Sequence, residues 1–186
     1  MKIPIIVQHR HVHLSSKDRE VLFGGESLVE ARAIGQKGQV VYKQTVQVIG
    51  PNGKFEHVCV LGPDRDQTQV ELSSSDAFAL GLKASVRVSG DLNRSASCKL
   101  VGPSGELDAK STTIIPVRHL HCTPQFADQN NLKHHDVVTL SIDAFKEKLI
   151  SDVVVRVHPT YSIEFHLTKD EAAEHWIQSS DTAQIV

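Results

Sequence analysis

The stretch RHVHLS at residues 10–15 returns as RHLHCT at residues 118–123. A second pair of segments is also similar: VLGPDRDQTQVELSSSDAFA at 60–79 and VRVHPTYSIEFHLTKDEAAE at 155–174, which align with one residue of slippage. Similar segments that recur in the same order in both halves of a chain indicate an internal duplication. The sequence therefore predicts two related domains with pseudo-two-fold symmetry.

Short runs rich in β-branched residues dominate both halves, as in IPIIV (3–7) and DVVVRV (152–157), and turn signals such as GPNG (50–53) separate them. This pattern is typical of barrels or sandwiches with many strands. We predict a mostly β fold: two pseudo-symmetric β-barrel domains, 1–90 and 91–186, between which strands or termini can exchange. Short helices that cap the barrels are predicted at 16–23, 74–80, 124–132 and 169–178.

The composition excludes several classes of protein. Of 186 residues, 40% are hydrophobic, and 20 basic against 22 acidic residues give a net charge of −2, which suggests neither a nucleic-acid nor a membrane surface. Three cysteines without a CxxC pair indicate free thiols in a reducing, cytoplasmic compartment. Eleven histidines are unusual, and this excess hints at metal binding.

Two histidine pairs carry the strongest chemical signal. Residues i and i+2 of a strand point to the same face and are about 7 Å apart at Cα, so His11 and His13 project together, and so do His119 and His121. One such pair would be weak evidence, but a second copy that also follows an arginine favours metal binding.

Each pair needs a third ligand, and the second repeated segment supplies Glu71 in one copy and His166 in the other. Three nitrogen or oxygen ligands with one open position are typical of catalytic zinc. The spacing does not determine which pair takes which third ligand. Each candidate strand is followed by a predicted N-cap residue: Ser15, Ser73, Thr123 or Thr168. Ser15 with Asp18, and Thr168 with Glu171, also fit the acidic form of the capping box.

The motifs RHVHLS, GPDRDQTQVELS, RHLHCTP and HPTYSIEFHLTKDEA, in this order and spacing, resemble the PduL-type phosphate propanoyltransferases over about residues 5–175. These phosphotransacylases move an acyl group between coenzyme A and phosphate. The resemblance implies two β-barrel domains with two zinc ions at their interface. By motif position it implies that His11, His13 and Glu71 bind one zinc, that His119, His121 and His166 bind the other, and that Arg65 binds phosphate.

The resemblance is weaker at the coenzyme A positions. Asn52 replaces a usual lysine, Cys59 an arginine and Ala173 an asparagine, and Gln8 and His9 replace small polar residues. Either coenzyme A is held differently, with Lys54 as one substitute cation, or the thiol or acyl substrate has changed. The positions expected to contact coenzyme A are Val7, Gln8, His9, Asn52, Cys59 and Ala173.

The predicted function is a zinc-dependent phosphate acyltransferase that moves an acetyl or propanoyl group between coenzyme A and inorganic phosphate, with Arg65 as the catalytic and phosphate-binding residue. Its partners would be coenzyme A or acyl-CoA and phosphate or acyl-phosphate, and a homo-oligomer is compatible with the sequence. One alternative is a metal-dependent hydrolase of an acyl-phosphate or thioester. Another is a non-catalytic protein that binds metal or acyl-CoA. The first predicted strand starts almost at Met1, which favours the cytoplasm over targeting to a microcompartment.

Overall fold

The structure is a computed structural model that describes residues 1–144 and 148–186. Strands predominate, and the predicted mostly β class with a few short helices is confirmed. The strands are β1 (Ile3–Gln8), β2 (His11–Ser15), β3 (Glu30–Ala33), β4 (Val40–Gly50), β5 (Gly53–Arg65), β6 (Gln69–Glu71), β7 (Val86–Arg87), β8 (Ala96–Val101), β9 (Glu106–Pro116), β10 (His119–Cys122), β11 (Val137–Ile142), β12 (Leu149–Val157), β13 (Glu164–Thr168) and β14 (Thr182–Ile185). The helices are α1 (Ser16–Phe23), α2 (Ser74–Ala79), α3 (Pro124–Gln129) and α4 (Lys169–His175).

The chain forms two compact units. The first unit consists of residues 9–34 and 38–116, and the second of residues 1–8, 35–37 and 117–186. Each unit has its own hydrophobic core. In the described parts of the chain, no helix has the length and apolar character needed to cross a membrane.

The first unit contains a closed six-stranded barrel in the order β4-β5-β2-β6-β9-β8, and β8 closes it by pairing with β4. The pairs β2/β5 and β6/β9 are parallel, and the other four are antiparallel. Two short strands extend this sheet: β3 pairs with β4, and β7 with β9. Val12, Val60 and Leu100 are among the side chains that fill its interior.

The second unit contains a barrel with the same pattern of pairing. Its order is β11-β12-β10-β13-β1-β14, and β14 closes it by pairing with β11. Parallel pairs again occur at the second and fourth steps, β12/β10 and β13/β1. Leu120, Leu140 and Phe165 are fully buried in its core. The predicted pair of related barrels is therefore present.

The two barrels exchange one strand each. β1 directly precedes β2 along the chain but pairs with β13 and β14 of the second barrel. Likewise, β9 precedes β10 but pairs with β6 and β8 of the first barrel. The predicted boundary between residues 90 and 91 divides the two sequence repeats, and it stays a prediction. Each compact unit contains strands from both sides of this boundary.

The helices begin where the N-cap residues predict. At each of the four predicted caps the side chain accepts a hydrogen bond from a first-turn backbone N–H. Thr168 and Glu171 form a complete capping box. The similar box expected from Ser15 and Asp18 is only half formed, because the Thr68 hydroxyl accepts from the Ser15 backbone N–H and donates to the Asp18 carboxylate.

Candidate metal centres

The first candidate metal centre lies where β2 and β6 run antiparallel in the first unit. His11 is directly opposite Glu71 across this pair, and His11 Nε2 lies 3.3 Å from Glu71 Oε2. His13 projects to the same side as His11, and potential ligand atoms of the three residues all lie within 4.8 Å of one another. All three side chains are buried. We call His11, His13 and Glu71 the first group.

The second candidate centre has the same construction from β10 and β13. His119 is directly opposite His166, and the ring centroids of these two residues are 5.0 Å apart. The His121 ring lies 4.6 Å from each of them, and potential ligand atoms of the three buried residues again lie within 4.8 Å of one another. We call His119, His121 and His166 the second group.

Strand register pairs each third residue with its histidine pair. A slip of one residue would turn every side chain of a strand to the other face, so this pairing depends on long-range contacts rather than on spacing along the chain. In both units the third residue lies opposite the first histidine of the pair. The grouping is the one that the family resemblance implied.

Backbone carbonyls orient two of the imidazoles. His11 Nδ1 donates to the His9 carbonyl at 2.9 Å, and His119 Nδ1 donates to the Val117 carbonyl at 2.8 Å. A neutral imidazole that donates from Nδ1 carries its lone pair on Nε2. Hydrogen bonds of this kind are typical supports of metal-binding histidines, since they fix both tautomer and ring orientation.

The chemistry of both groups fits a divalent metal. Imidazole and carboxylate ligands suit zinc and related ions. His166 Nδ1 is buried and has no hydrogen-bond partner among the described residues. An unsatisfied buried acceptor is costly, and a metal ion would satisfy it.

Charge is also distributed unevenly in the first group. Burial opposes ionisation of both His11 and Glu71, but their mutual attraction prevails, so the pKa of His11 is raised and that of Glu71 is lowered well below its usual range. For His13, burial and the nearby Arg65 cation hold the pKa well below the ordinary value. His13 is therefore neutral near pH 7, which is the form that binds metal.

Arg65 lies beside this group at the last position of β5. Its Nη2 donates to His13 Nε2 at 2.8 Å, and its Nη1 donates to Ser89 Oγ at 3.3 Å. Of its two acidic sequence neighbours, Asp64 forms an ion pair with Arg19, with 2.9 Å between Asp64 Oδ2 and Arg19 Nε. The planar guanidinium group matches the geometry of phosphate, so Arg65 is placed to bind an anion beside the first group.

Comparison with known proteins decides the family. Residues 4–178 match a family model described as phosphate propanoyltransferase. The chain belongs to this family. A phosphate propanoyltransferase of Thermotoga maritima is 41% identical over 97% of this chain and 87% of the relative. Relatives with the same name from Escherichia fergusonii and Salmonella typhimurium are 42% and 40% identical, each over 91% of this chain and 81% of the relative.

Family membership confirms the resemblance that the motifs indicated. The protein is an acyltransferase of the phosphotransacylase type. The interpretation as a non-catalytic binding protein is therefore wrong. The family supports acyl transfer between coenzyme A and phosphate.

Two arginines lie just before strands of the candidate metal centres and contact acids on helices. Arg10 Nη1 donates to Asp76 of α2 at 3.0 Å, and Arg118 Nη1 donates to Glu171 of α4 at 3.5 Å. The acid lies five residues after the third member of its group in both units. Each arginine therefore connects a candidate ligand strand to a helix of its own unit.

The positions expected to contact coenzyme A are spread over both units. In the second unit, Val7 and Gln8 lie partly buried at the end of β1, and Ala173 is exposed on α4. In the first unit, Cys59 is exposed on β5 in register with His11, His9 precedes β2, and Asn52 lies in the turn between β4 and β5. Lys54, the proposed substitute cation, is half exposed and forms an ion pair with Glu56.

Three polar residues that support the groups were missed in the sequence. Gln69 donates to the Glu71 carboxylate at 2.5 Å, and Glu164 lies beside His166. Both stand two residues before a third group member, so the i, i+2 rule used for the histidine pairs could have found them. Gln36 Nε2 lies 2.7 Å from His121 Nδ1. No local signal pointed to Gln36, because it lies in the connection between β3 and β4 of the first unit, from which residues 35–37 join the second unit.

The three thiols should differ in reactivity. Cys59 is exposed, whereas burial raises the pKa of Cys98 and raises that of Cys122 to about 11. Since the thiolate is the nucleophile, iodoacetamide near pH 7.5 should alkylate one thiol of the native protein and three after unfolding, as measured by intact mass. Cys59→Ser should remove the native labelling. Rapid native labelling of two or more thiols would contradict the burial of Cys98 and Cys122.

Proposed function

We propose that this chain moves a short acyl group, acetyl or propanoyl, between coenzyme A and inorganic phosphate, with one zinc ion in each group. The observation that carries the proposal is Arg65 beside the first group. There, a guanidinium fork that suits phosphate contacts a residue of a buried set of metal-type ligands. A phosphate-binding cation beside a Lewis acid would favour acyl transfer to and from phosphate.

Zinc, when bound, would lower the pKa of a thiol and polarise an acyl carbonyl. His11, His13 and Glu71 would hold one ion, and His119, His121 and His166 would hold the other. The six side chains are buried and their backbone positions are set by paired strands. Such a site needs little reorganisation on binding, which favours catalysis by positioning.

Arg65 would bind the phosphoryl group. Its contact with His13 Nε2 involves a metal-type ligand atom, so the guanidinium would turn from His13 to the phosphoryl oxygens when a metal ion binds that nitrogen. The Glu71 carboxylate stays fixed because Gln69 and Ser89 both donate to its Oε1. These contacts would keep the first group in place while Arg65 moves.

The reaction would proceed without a covalent acyl-enzyme. The sulfur of coenzyme A, as thiolate, attacks the carbonyl carbon of the acyl-phosphate, the C–S bond forms, and the bond to the phosphate oxygen breaks. Phosphate leaves with the electron pair of that bond while Arg65 compensates its charge. In reverse, a phosphate oxygen attacks the thioester carbon and the thiolate leaves. The departures at Asn52, Cys59 and Ala173 would mean that other residues hold coenzyme A.

A coupled assay tests the proposal. Protein incubated with zinc, propanoyl-CoA and phosphate should release thiol, which a thiol reagent detects, and should form an equal amount of acyl-phosphate. Removal of metal with a chelator should abolish turnover, and zinc should restore it. Thiol release at the same rate without phosphate would instead identify a thioester hydrolase. Full activity of demonstrably metal-free protein would overturn the zinc-dependent mechanism.

A further inference from the structure

A carboxylate contacts the third histidine of the second group. Glu164 and His166 are residues i and i+2 of β13 and therefore lie on the same face. Glu164 is directly opposite His121 across the β10/β13 pair. His166 Nε2 lies 3.1 Å from Glu164 Oε2, so the imidazole donates its Nε2–H to the carboxylate.

The other ring nitrogen of His166, Nδ1, is free of this hydrogen bond. An imidazole that donates from Nε2 carries its lone pair on Nδ1. His166 is only 6% exposed, and its Nδ1 has no hydrogen-bond partner among the described residues. In their neutral forms His11 and His119 have the opposite arrangement, because their Nδ1 atoms donate to backbone carbonyls. His166 is therefore prepared to bind a metal through Nδ1, whereas those two are prepared to bind through Nε2.

The first unit has a support at the equivalent position. Gln69 lies two residues before Glu71 and directly opposite His13. Its side-chain amide donates to Glu71 Oε1 at 2.5 Å, and its own carbonyl accepts from the Gly90 backbone N–H at 2.8 Å. An amide donor thus supports a carboxylate ligand in one unit, and a carboxylate acceptor supports an imidazole ligand in the other. The chemistry of the support matches that of the ligand in both cases.

The backbone around Glu164 restricts where its carboxylate can go. Gly35, which belongs to the same unit, approaches so closely that a Cβ at this position would lie 1.8 Å from Glu164 Oε1. The Ser162 hydroxyl donates to the Gly35 carbonyl. Because only glycine allows such an approach, Gly35 leaves room for the carboxylate where it can meet His166.

We propose that Glu164 is a positioning residue of the second group. It fixes His166 in the tautomer that binds a divalent metal through Nδ1, and its negative charge compensates part of the positive charge of the metal. The inference rests on the proposed function only in taking the second group as a metal site. Loss of such a supporting partner typically costs about 10- to 100-fold in metal affinity.

The tautomer can be measured directly. In zinc-loaded protein with ¹⁵N-labelled histidine, long-range ¹H–¹⁵N correlation should show the remaining proton of His166 on Nε2 and that of His119 on Nδ1. The His166 signals would be assigned by their absence in His166→Gln. A proton on His166 Nδ1 in the zinc-loaded protein would overturn the proposal.

Zinc affinity, measured by competition with a chromophoric chelator, gives a second readout. Glu164→Gln and Glu164→Ala should each weaken one of two zinc sites by about 10- to 100-fold and leave the other unchanged. Gly35→Ala should act in the same direction because its Cβ displaces the carboxylate. Glu174→Gln, an exposed change on α4, should have no effect. A loss of less than about two-fold in both Glu164 variants, with metal-free melting temperatures near that of the unchanged protein, would contradict the role of Glu164.

These measurements do not depend on turnover. If zinc affinity responds to Glu164 as expected but no acyl group is transferred, the role of Glu164 stands and the proposed function fails. If transfer is present and zinc affinity does not respond, the proposed function stands and the role of Glu164 fails.

Discussion

Replacing His166 with alanine should lower phosphate-dependent acyl transfer by more than about 10³-fold, since it would remove a proposed metal ligand and not only one hydrogen-bond donor, whose loss costs about 10²–10³-fold. The second group would keep only His119 and His121, and a catalytic zinc site with three protein ligands cannot spare the third. The measurement is kcat/KM with propanoyl-CoA and phosphate, together with zinc content by mass spectrometry, which should fall from two ions per chain to one.

The matched control for His166→Ala is His57→Asn. His57 is an exposed histidine on β5 with a positive φ that asparagine tolerates. It should keep both zinc ions and full activity. Because His166 is buried, the melting temperature of the metal-free variant must be measured as well, and His166→Gln offers a side chain of closer volume. A folded His166→Ala or His166→Gln variant with unchanged activity would end the proposed mechanism.

Replacing Arg65 with alanine should lower kcat/KM for phosphate by about 10²–10³-fold. The guanidinium is the phosphate-binding cation of the proposal, and it lies beside the first group. Arg65→Lys should recover only part of the loss, because an ammonium keeps the charge and lacks the bidentate fork. The rate should be measured as a function of phosphate concentration. Arg65→Ala should mainly raise the KM for phosphate, and this distinguishes Arg65 from the proposed metal ligands.

Zinc content distinguishes a phosphate-binding role of Arg65 from a structural one. Arg65→Ala should retain both zinc ions, because it removes a donor that contacts His13 Nε2 and no ligand. Arg32→Ala on β3 is a suitable control, since this arginine is exposed in the first unit. Arg65→Ala with normal phosphate kinetics would exclude Arg65 as the phosphate-binding residue, and loss of zinc in this variant would point to a structural role.

What could be predicted from the sequence was what depends on near neighbours. The alternation on β2 and β10 brought each histidine pair to one face, and four hydroxyl caps predicted the starts of the four helices found in residues 1–144 and 148–186. Pairing of Glu71 with His11 could not be derived from spacing, because it depends on the register between two strands whose paired residues are 60 positions apart. The capping box expected at Ser15 is incomplete for a similar reason. Thr68, from a distant part of the chain, takes the place of Asp18 as acceptor of the Ser15 N–H and donates to the Asp18 carboxylate.

Distance along the chain also explains the supports that were missed. Glu164 and Gln69 follow the same i, i+2 spacing as the histidine pairs, and a search for polar residues on the ligand face of each strand would have found them. Gln36 reaches His121 from a segment 85 residues away, and nothing in the local pattern marks it. The sequence analysis allowed strands to exchange between the barrels, but it did not identify β1 and β9, because the sequence of a strand does not determine which barrel the strand enters.

That exchange makes the two barrels depend on each other for completeness. A cut in the GPSG turn between β8 and β9, residues 102–105, would give two fragments, each holding five strands of one barrel and the sixth strand of the other. Neither fragment alone could close its sheet, and each would expose unpaired edges that invite aggregation. Fragment complementation would rebuild both closed sheets, so the barrel around each candidate metal group needs both halves of the polypeptide.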